Sequence, residues 1–373
     1  MGVTLKDIAG ELGLSPATVS RALNGFPEVS ETTRARVSEV AARLGYAPNP
    51  IARRLVGGRS GLVGMVVPGA GDVSADPSFM EVLAGLGAAL TGHGLDLVLH
   101  VAPPGEEIGA LERLVRRGTM DGFILIAPRV DDPRLTFLED EGVPFAVHGR
   151  VGPGTGGDRA GGDRAGGEHR YDHYDIDNRA AGRMMAEHLI GLGHRRIALL
   201  NGPVHLSYAA ERRAGHHEAL DAAGLPPDDD LVIHDMPTHE TGRRLAAGLL
   251  DAHAPPTAVA CSSTAIASGV YAAAHERGLE VGRDLAVGAH DDAPPHIRSE
   301  DFVPPLTVTV SPLVDACEPL AAMIARRIEA PDMEPDGTVA PVRLEARAST
   351  GAQLSDGPDR TDDPDRTDPA RAA

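Results

Sequence analysis

The sequence lacks several features that define common classes of protein. It has no tryptophan, two cysteines (Cys261 and Cys317), and only 3% aromatic residues. The cysteines are far apart and have no cysteine or histidine neighbours at metal-ligand spacing, so we expect no disulfide framework and no zinc site. No apolar run approaches the roughly 18 residues that a membrane helix needs, and the opening MGVTLKDIAG carries charges where a signal peptide would be apolar. We therefore expect a soluble chain in the cytoplasm, with no membrane partner.

Charge is distributed unevenly along the chain. The 373 residues carry 54 acidic and 35 basic side chains, a formal charge of −19. Residues 1–60 hold eight basic and five acidic side chains, net +3, which leaves −22 for the remainder. Because an acidic protein is repelled by nucleic acid, a basic segment of this kind is typical of a small nucleic-acid-binding head on an acidic body.

Caps and apolar periodicity predict three helices in residues 1–46. Thr4 and Asp7 form a capping-box pattern at the start of the first helix. Ser15 is a good N-cap for the second helix, Pro16 suits its first turn, and Ser30 caps the third. Two helices joined by a tight turn and supported by a third are typical of a helix-turn-helix, whose second helix enters the major groove. A small helical hairpin with a solvated face would give the same pattern.

The second helix, within SPATVSRALNG (residues 15–25), presents small side chains and one arginine. Arg21 is suited to a two-hydrogen-bond contact with guanine, and Ala17 to contact with a thymine methyl group. The candidate DNA-contacting residues of the head are Thr4, Ser15, Pro16, Ala17, Thr18, Ser20, Arg21 and Asn24.

Residues 47–60 contain a second candidate DNA-contacting segment, PNPIARRLVGG. Isolated helices shorter than about 12 residues are marginal in water, so this segment would fold only on meeting a partner. The alternative is a Pro/Gly linker with incidental charges. The candidate DNA contacts here are Asn49, Ala52, Arg53 and Leu55.

From residue 61 to 354, apolar runs alternate with helical stretches. The strand-like runs lie at 62–68, 95–101, 122–128, 143–149, 196–202, 231–236, 258–263 and 285–290. This alternation predicts parallel sheets covered on both faces, and so many units favour two doubly wound, Rossmann-like subdomains, with the chain crossing between them near 193 and 308. Ligands of such folds bind beyond the carboxyl ends of the strands, which predicts a cleft between the lobes. The acidic tail 355–373 is expected to be disordered.

The first part of the chain resembles the lactose-repressor (LacI/GalR) family of bacterial transcriptional regulators. The resemblance is continuous over residues 3–64, from VTLKDIAGELGLSPATVSRALNG to PNPIARRLVGGRSGLVG. It implies that SPATVSRALNG is the recognition helix and that residues 48–58 form a hinge helix that orders on operator DNA. It also implies that Leu55 is a leucine that wedges into the minor groove at the centre of a palindrome, where protein–DNA contacts on the bent duplex offset the cost of unstacking.

The body resembles the periplasmic-binding-protein-like effector domain of the same family, most clearly in DGFILIAP, EHLIGLGHRRIALLNGP, ERRAGHHEAL, AHDDAPP and VPPLTVTVSP. The resemblance implies that Phe79 is an aromatic residue lining the pocket, that Arg212 clamps the effector, and that Asp291 accepts sugar hydroxyls. It places Asp177 at the mouth of the cleft. Ordinary roles in the helix core, on the surface or in loop capping would also suit these residues.

One departure from the family pattern lies in ACSSTAIASG. Family members usually carry an Asn-Asp pair where this chain has Ser263-Thr264. Ser263 can still donate one hydrogen bond to an effector, although with less reach than an amide.

Three functions compete for the whole sequence: a DNA-binding regulator, a solute-binding protein of a transporter, and an α/β enzyme. The second leaves the basic head unexplained, and no nucleophile elbow, P-loop or dinucleotide fingerprint supports the third. We therefore predict an effector-responsive repressor of carbohydrate-utilisation genes that binds a palindromic double-stranded operator as a homodimer. A neutral sugar is the expected effector, a purine is the alternative, and no catalytic residue, metal or cofactor is expected.

Overall fold

A computed structural model of the chain describes residues 3–23, 26–46, 59–69, 77–151, 170–294 and 296–351. Within them, no helix has both the length and the apolar character needed to cross a membrane. The described elements form a three-helix head and a body with two lobes.

The head consists of α1 (Leu5–Leu12), α2 (Pro16–Leu23) and α3 (Glu31–Leu44). The Asp7 carboxylate accepts hydrogen bonds from the Thr4 backbone N–H and hydroxyl, both at 2.7 Å, so the predicted box begins α1. Gly13 ends α1 with φ 66°, a left-handed conformation that glycine adopts without strain. Eight buried side chains from the head form one small core, which holds the three helices together: Ile8, Ala9, Val19, Ala22, Val29, Val37, Val40 and Ala41.

The body contains two six-stranded sheets of closely similar topology, with orders β11-β5-β4-β3-β1-β2 and β12-β10-β9-β8-β6-β7. The N-terminal sheet comprises β1 (Leu62–Pro68), β2 (Asp96–Ala102), β3 (Gly122–Ile126), β4 (Phe145–His148), β5 (Asp172–Ile176) and β11 (Gly337–Ala340). The C-terminal sheet comprises β6 (Ile197–Asn201), β7 (Val232–His234), β8 (Ala258–Cys261), β9 (Ala286–Asp291), β10 (Thr307–Val310) and β12 (Arg343–Glu345). Within the two sheets, all strand pairings that the structure describes are parallel except that of β12 with β10, so the predicted fold class, two doubly wound subdomains behind a helical head, is confirmed.

Helices cover both faces of each sheet and complete a hydrophobic core on either side. The N-terminal lobe contains α4 (Pro77–Gly92), α5 (Glu107–Arg117), α6 (Pro133–Asp140) and α11 (Cys317–Glu329). The C-terminal lobe contains α7 (Asn178–Gly191), α8 (Ser207–Ala222), α9 (His239–Leu250) and α10 (Thr264–Glu276).

The chain passes between the lobes three times. The first passage lies at Asp177, between β5 and α7, and not near residue 193 as the sequence analysis expected. The reason is that α7 packs on α8 and on the C-terminal sheet, and so belongs to the second lobe. The second passage follows β10, and a third, which the sequence analysis did not predict, joins β11 to β12.

Helices α7 and α8 approach each other at two glycines. A Cβ atom on Gly182 would overlap the carbonyl oxygen of Arg212, and one on Gly215 would overlap that of Arg179. Only glycine permits this separation. The approach brings Asn178, the first residue of α7, within reach of the Arg212 side chain on α8.

Candidate DNA-binding surface and effector cavity

The second helix of the head is built to present one polar face. The Ser15 hydroxyl caps α2, since it accepts a hydrogen bond from the Thr18 backbone N–H at 3.0 Å, and it lies 2.8 Å from the Thr18 hydroxyl. Val19 is completely buried on the inner side. Pro16, Ala17 and Arg21 are exposed on the other side, and Ser20 is half-buried.

The Arg21 guanidinium is available for a contact outside the head. Its Nε lies 3.8 Å from Glu28 Oε1, and the two side chains are 58% and 50% exposed. An ion pair this open to water contributes at most about 1 kcal/mol. Exchanging it for a base contact would therefore cost little.

Five of the predicted DNA contacts are not placed by the structure. Asn24, Asn49, Ala52, Arg53 and Leu55 lie outside the described residues. The recognition-helix residues of α2 can thus be compared with the geometry, whereas the hinge residues stay predictions.

A cavity of about 180 Å³ lies between the two lobes, beyond the carboxyl ends of their strands. Both lobes contribute walls: Phe79, Ile126 and Asp175 from the first, and Tyr208, Arg212 and Asp292 from the second. Three charged side chains, Asp175, Arg212 and Asp292, line it. No group of three or more His, Cys, Asp or Glu in the described ranges has the geometry of a metal site.

Arg212 is held rigidly in the cavity wall. It is 6% exposed; its Nε donates to Asn178 Oδ1 at 2.9 Å and its Nη1 donates to the Ser262 carbonyl at 2.6 Å. The guanidinium carbon lies 5.1 Å from the centre of the Tyr208 ring, a cation–π contact. These contacts fix the guanidinium plane and leave the Nη2 donors for other acceptors.

Asp175 faces Arg212 from the N-terminal lobe. Its Oδ2 accepts from Arg150 Nε at 3.0 Å, and its Oδ1 accepts from the Ile176 N–H at 2.9 Å and from Asn178 Nδ2 at 3.2 Å. Burial raises the pKa of Asp175 to about 6, although Arg150, the Ile176 N–H and the charge of Arg212 oppose the shift. The carboxylate therefore titrates near neutral pH.

Asp292 supplies the second carboxylate of the cavity. Its Oδ1 lies 3.1 Å from His290 Nε2, and its side chain is 20% exposed. Burial acts to raise the pKa of Asp292, but the interaction with His290, which includes a hydrogen bond, and the charge of Arg212 outweigh it and the net shift is downward. Burial also lowers the pKa of His148, on the opposite wall, to about 4. At neutral pH the wall thus presents an ionised Asp292 and a neutral His148.

Two serines, Ser262 and Ser263, line the cavity just before α10 begins. Ser263 caps this helix, since its hydroxyl accepts from the Ile266 N–H at 3.2 Å. The buried Ser262 hydroxyl has no hydrogen-bond partner among the described residues. Because a buried polar group without a partner is costly, the Ser262 hydroxyl is suited to bind a polar ligand atom.

Backbone pairing joins the lobes beside the cavity. Ser207 N–H donates to the Pro128 carbonyl and Val130 N–H donates to the His205 carbonyl, both at 2.9 Å. Arg129 and Leu206 form the antiparallel bridge between these bonds. We call this contact, residues 128–130 with 205–207, the interlobe bridge.

Each lobe also carries one strained residue next to the cavity. Among the described residues other than glycine, positive φ occurs at Ala127 (45°), directly after β3, and at Ala293 (56°), two residues after β9. Left-handed alanine costs about 1–2 kcal/mol. Strain of this kind is often found where a fold positions a binding site.

Comparison with known proteins matches both parts of the chain. Residues 4–49 match the model for bacterial regulatory proteins of the lacI family, and residues 186–350 match the periplasmic binding protein-like domain. The HTH-type transcriptional regulator AglR of Rhizobium meliloti is 41% identical over 351 residues, which cover 94% of this chain and 95% of the relative. CelR of Thermobifida fusca, also an HTH-type transcriptional regulator, is 32% identical over 93% of this chain and 98% of its own length.

The chain belongs to the lacI family. Like these relatives, it is a DNA-binding transcriptional regulator and not an enzyme. The alternatives of a transporter's solute-binding protein and of an α/β enzyme are thereby set aside.

Solved structures of family members have the same architecture. The CelR–cellobiose complex superposes with a TM-score of 0.67 at 30% identity and covers 93% of this chain and 99% of CelR. The lac repressor dimer bound to operator and the anti-inducer ONPF gives a TM-score of 0.76 at 25% identity, covering 94% and 100%. This lacI-family regulator thus has the same fold as the lac repressor.

The structure brings three of the predicted effector residues to the cavity. Phe79, Arg212 and Ser263 line it. Asp177 instead caps α7, accepting from the Ala180 N–H at 2.9 Å, and Asp291 accepts from the Ala293 N–H at 2.8 Å. Neither of these two carboxylates is among the lining residues, so their predicted contacts with an effector have no support in the geometry.

Several lining residues were not singled out from the sequence. Asp292 follows Asp291, and Asn178 follows Asp177, so in each case the neighbour of the predicted residue reaches the cavity. Tyr208 precedes Arg212 by one helical turn, and this spacing is the signal that would have placed both on one face of α8.

Proposed function

We propose that this lacI-family regulator is a homodimeric repressor whose affinity for a palindromic operator is set by a neutral sugar bound in the interlobe cavity. The observation that carries the sugar is the charge balance of the cavity wall. Arg150 pairs with Asp175, and the Arg212 charge is offset by that of Asp292. A neutral ligand with several hydroxyls suits this wall better than an ion.

The donor and acceptor set also suits a polyol. The Arg212 Nη2 group donates, the Asp292 carboxylate accepts, and the Ser262 hydroxyl can do either. Phe79 and Tyr208 line the same cavity and offer ring faces on which the apolar face of a sugar can stack. CelR, whose structure was solved with cellobiose, supports this choice of ligand class.

The head and hinge would bind the operator. Arg21 and Ala17 on α2 would contact base edges in the major groove of each half-site, and Leu55 would wedge into the minor groove at the centre. The dimer is supported by the likeness to the lac repressor dimer on its operator. The body would report effector binding to the hinge through a change in the relation of its lobes.

Calorimetry on the full chain tests the effector. We expect a neutral mono- or oligosaccharide to bind, and purine nucleosides and sugar phosphates to bind far more weakly. Asp292→Asn should weaken sugar binding at least tenfold, since it removes a charge-assisted hydrogen bond. Asp291→Asn, the matched change one residue away, should leave the sugar affinity within twofold of the parent.

A second matched pair tests Arg212. Arg212→Ala should abolish sugar binding, while Arg213→Ala, on the exposed side of the same helix, should not change it. Binding of a purine and of no saccharide would contradict the proposal. Equal sugar affinities of Asp292→Asn and the parent would show that the cavity is not the binding site.

Operator binding is tested with a palindrome selected by the purified protein from random DNA. Arg21→Ala should cost about 1–3 kcal/mol of binding free energy and relax the choice of one base pair in each half-site. Arg36→Ala removes the same charge from the exposed side of α3 and should weaken all DNA sequences alike. If the two variants behaved identically, α2 would not be the recognition helix.

A further inference from the structure

A continuous chain of four side chains connects the two lobes through the effector cavity. Arg150 and Asp175 belong to the N-terminal lobe and Arg212 to α8 of the C-terminal lobe. Asn178, 4% exposed and placed where the chain first passes between the lobes, bonds to both sides. We call this chain, Arg150–Asp175–Asn178–Arg212, the cross-lobe relay.

Few side chains can satisfy both hydrogen-bonding neighbours of position 178. Its neighbour on one side is a guanidinium, which only donates hydrogen bonds, and on the other a carboxylate, which only accepts them when ionised. The Asn178 amide meets both: Oδ1 accepts from Arg212 Nε at 2.9 Å, and Nδ2 donates to Asp175 Oδ1 at 3.2 Å. An aspartate at this place would face Asp175 with like charge, and an aliphatic residue would leave both neighbours without this partner.

We propose that Asn178 is a positioning residue of the effector site: through the cross-lobe relay it orients the Arg212 guanidinium according to the position and charge of Asp175 in the opposite lobe. The proposal rests on the proposed function in that Arg212 is taken to bind the effector. Through the cross-lobe relay, the geometry of the contact between Arg212 and the effector depends on the relative orientation of the two lobes.

The relay has a distinctive pH dependence. Burial raises the pKa of Asp175 to about 6, and protonation removes the charge that Asn178 and Arg150 bind. The other groups around it are Tyr171, whose pKa is raised by burial, His148, whose pKa is lowered to about 4, and Arg212, which stays charged. Beyond them, burial lowers the pKa of His290, and the pKa of Asp292 is also shifted down. Asp175 is therefore a group of this cluster whose charge changes between pH 7 and 5.

The first test needs no effector. In full-length protein labelled with ¹³C at aspartate and ¹⁵N at arginine, the Arg212 Nε–H resonance should shift with the same midpoint as the Asp175 carboxyl, assigned with Asp175→Asn. In Asn178→Ala the Asp175 midpoint should move to higher pH, because a donor to the carboxylate is lost, and the Arg212 resonance should no longer follow it. If the Arg212 Nε–H chemical shift in the parent did not change as Asp175 titrates, the proposed cross-lobe relay would be wrong.

The second test measures the affinity for whichever saccharide binds the parent. Affinity should fall about tenfold from pH 7 to pH 5 in the parent, a coupling of ordinary size. In Asn178→Ala it should be about tenfold lower at pH 7 and nearly flat below. Asn201→Ala, the same change at a buried asparagine bonded only within the C-terminal lobe, controls for loss of stability and should keep the parental pH profile.

The outcomes separate the two proposals. If Arg212→Ala abolishes binding while Asn178→Ala keeps the parental affinity and pH profile, the relay is wrong and the proposed function stands. If no saccharide binds the parent but the Arg212 and Asp175 resonances titrate together, the relay stands and the sugar is wrong.

Discussion

In both lobes the strand that pairs with the C-terminal edge strand, β11 or β12, is buried and yet polar. In the N-terminal lobe this strand is β5, with Asp172 0% exposed, and in the C-terminal lobe it is β10, with Thr307 0% exposed. Asp172 bonds to Arg326 Nη2 at 2.9 Å, to Arg327 Nε at 2.8 Å and to the Asp336 N–H at 2.7 Å.

Thr307 makes the corresponding contacts with hydroxyl and backbone groups. Its Oγ1 donates to the Arg347 carbonyl at 3.0 Å and accepts from the Arg347 N–H at 2.9 Å, and it lies 3.0 Å from the Thr350 hydroxyl. Both networks fix the last part of the chain to its sheet. The comparison teaches that the same position in a repeated fold tolerates either a carboxylate paired with arginines or a hydroxyl paired with neutral groups, provided that the buried side chain at that position is itself paired.

The loss of free energy of unfolding on mutation should be larger for the ionic network around Asp172 than for the neutral network around Thr307. Asp172→Ala leaves Arg326 and Arg327 without their shared carboxylate and should cost about 3–5 kcal/mol of the free energy of unfolding. Urea unfolding followed by far-UV circular dichroism measures this in a chain without tryptophan. Asp336→Ala, which removes a partner that is 54% exposed, should cost at most about 1 kcal/mol. Equal losses in the two variants would contradict the importance of burial.

Disrupting the neutral network around Thr307 should cost less of the free energy of unfolding. Thr307→Val keeps the shape of the side chain but leaves the Arg347 N–H unpaired, so we expect a loss of about 1–3 kcal/mol in the same assay. Thr338→Val, on the exposed edge strand β11, should stay within about 0.5 kcal/mol of the parent. A loss for Thr307→Val as large as that for Asp172→Ala would remove the distinction between the lobes.

The bridge between the lobes should respond to a single backbone change. Ser207 begins α8 and Leu206 is extended (φ −89°, ψ 136°), so proline is compatible with position 207. The change deletes the N–H that reaches Pro128 together with the side-chain hydroxyl. Ser207→Pro should raise the exchange rate of the Val130 amide about fivefold, the equivalent of about 1 kcal/mol. Ser207→Ala, which keeps the N–H, should exchange at the parental rate, and equal rates in all three proteins would show that the lobes are not held at this point.

The two strained alanines should give the smallest effect. Ala127→Gly and Ala293→Gly each relieve about 1 kcal/mol of left-handed strain and lose about 0.4–1 kcal/mol through the more flexible unfolded chain. The melting temperature should therefore change by no more than a few degrees for either variant. Ala110→Gly, in the buried middle of α5, should instead lower it clearly. A clear loss at position 127 or 293 would show that the positive φ is not strained.

Apolar runs were enough to predict β1–β4 and β6–β9, because each of these strands has an apolar stretch that the sequence displays directly. This holds even for the edge strands β2 and β7, which are only partly buried. Strand β5, DHYDI, was not predicted. Its aspartates can be buried only because Arg326, Arg327 and Arg150 pair with them, and two of these arginines follow about 150 residues later. Such pairing is a property of the tertiary fold and leaves no local pattern.

The candidate site was predictable to the level of the helix but not always of the residue. Phe79, Arg212 and Ser263 could be located because each lies in a recognisable stretch at the end of a strand or on a helix. Which of Asp291 and Asp292 faces the cavity depends on where β9 ends, and adjacent residues of a strand point to opposite sides. The bond from Asn178 to Arg212 requires the close approach of α7 and α8 at Gly182 and Gly215, which no local pattern reveals.

The third passage between the lobes has a consequence for the making of the protein. Residues 337–345 provide β11 to one sheet and β12 to the other, and β11 pairs with β5 over Gly337–Ala340. During translation, neither sheet has its full set of strands until this segment has left the ribosome. A chain that stops before residue 337 lacks an edge strand in both lobes at once, and Asp172 lacks the Asp336 amide as well if the chain stops one residue earlier. The two lobes are thus completed together, once residues 337–345 have emerged.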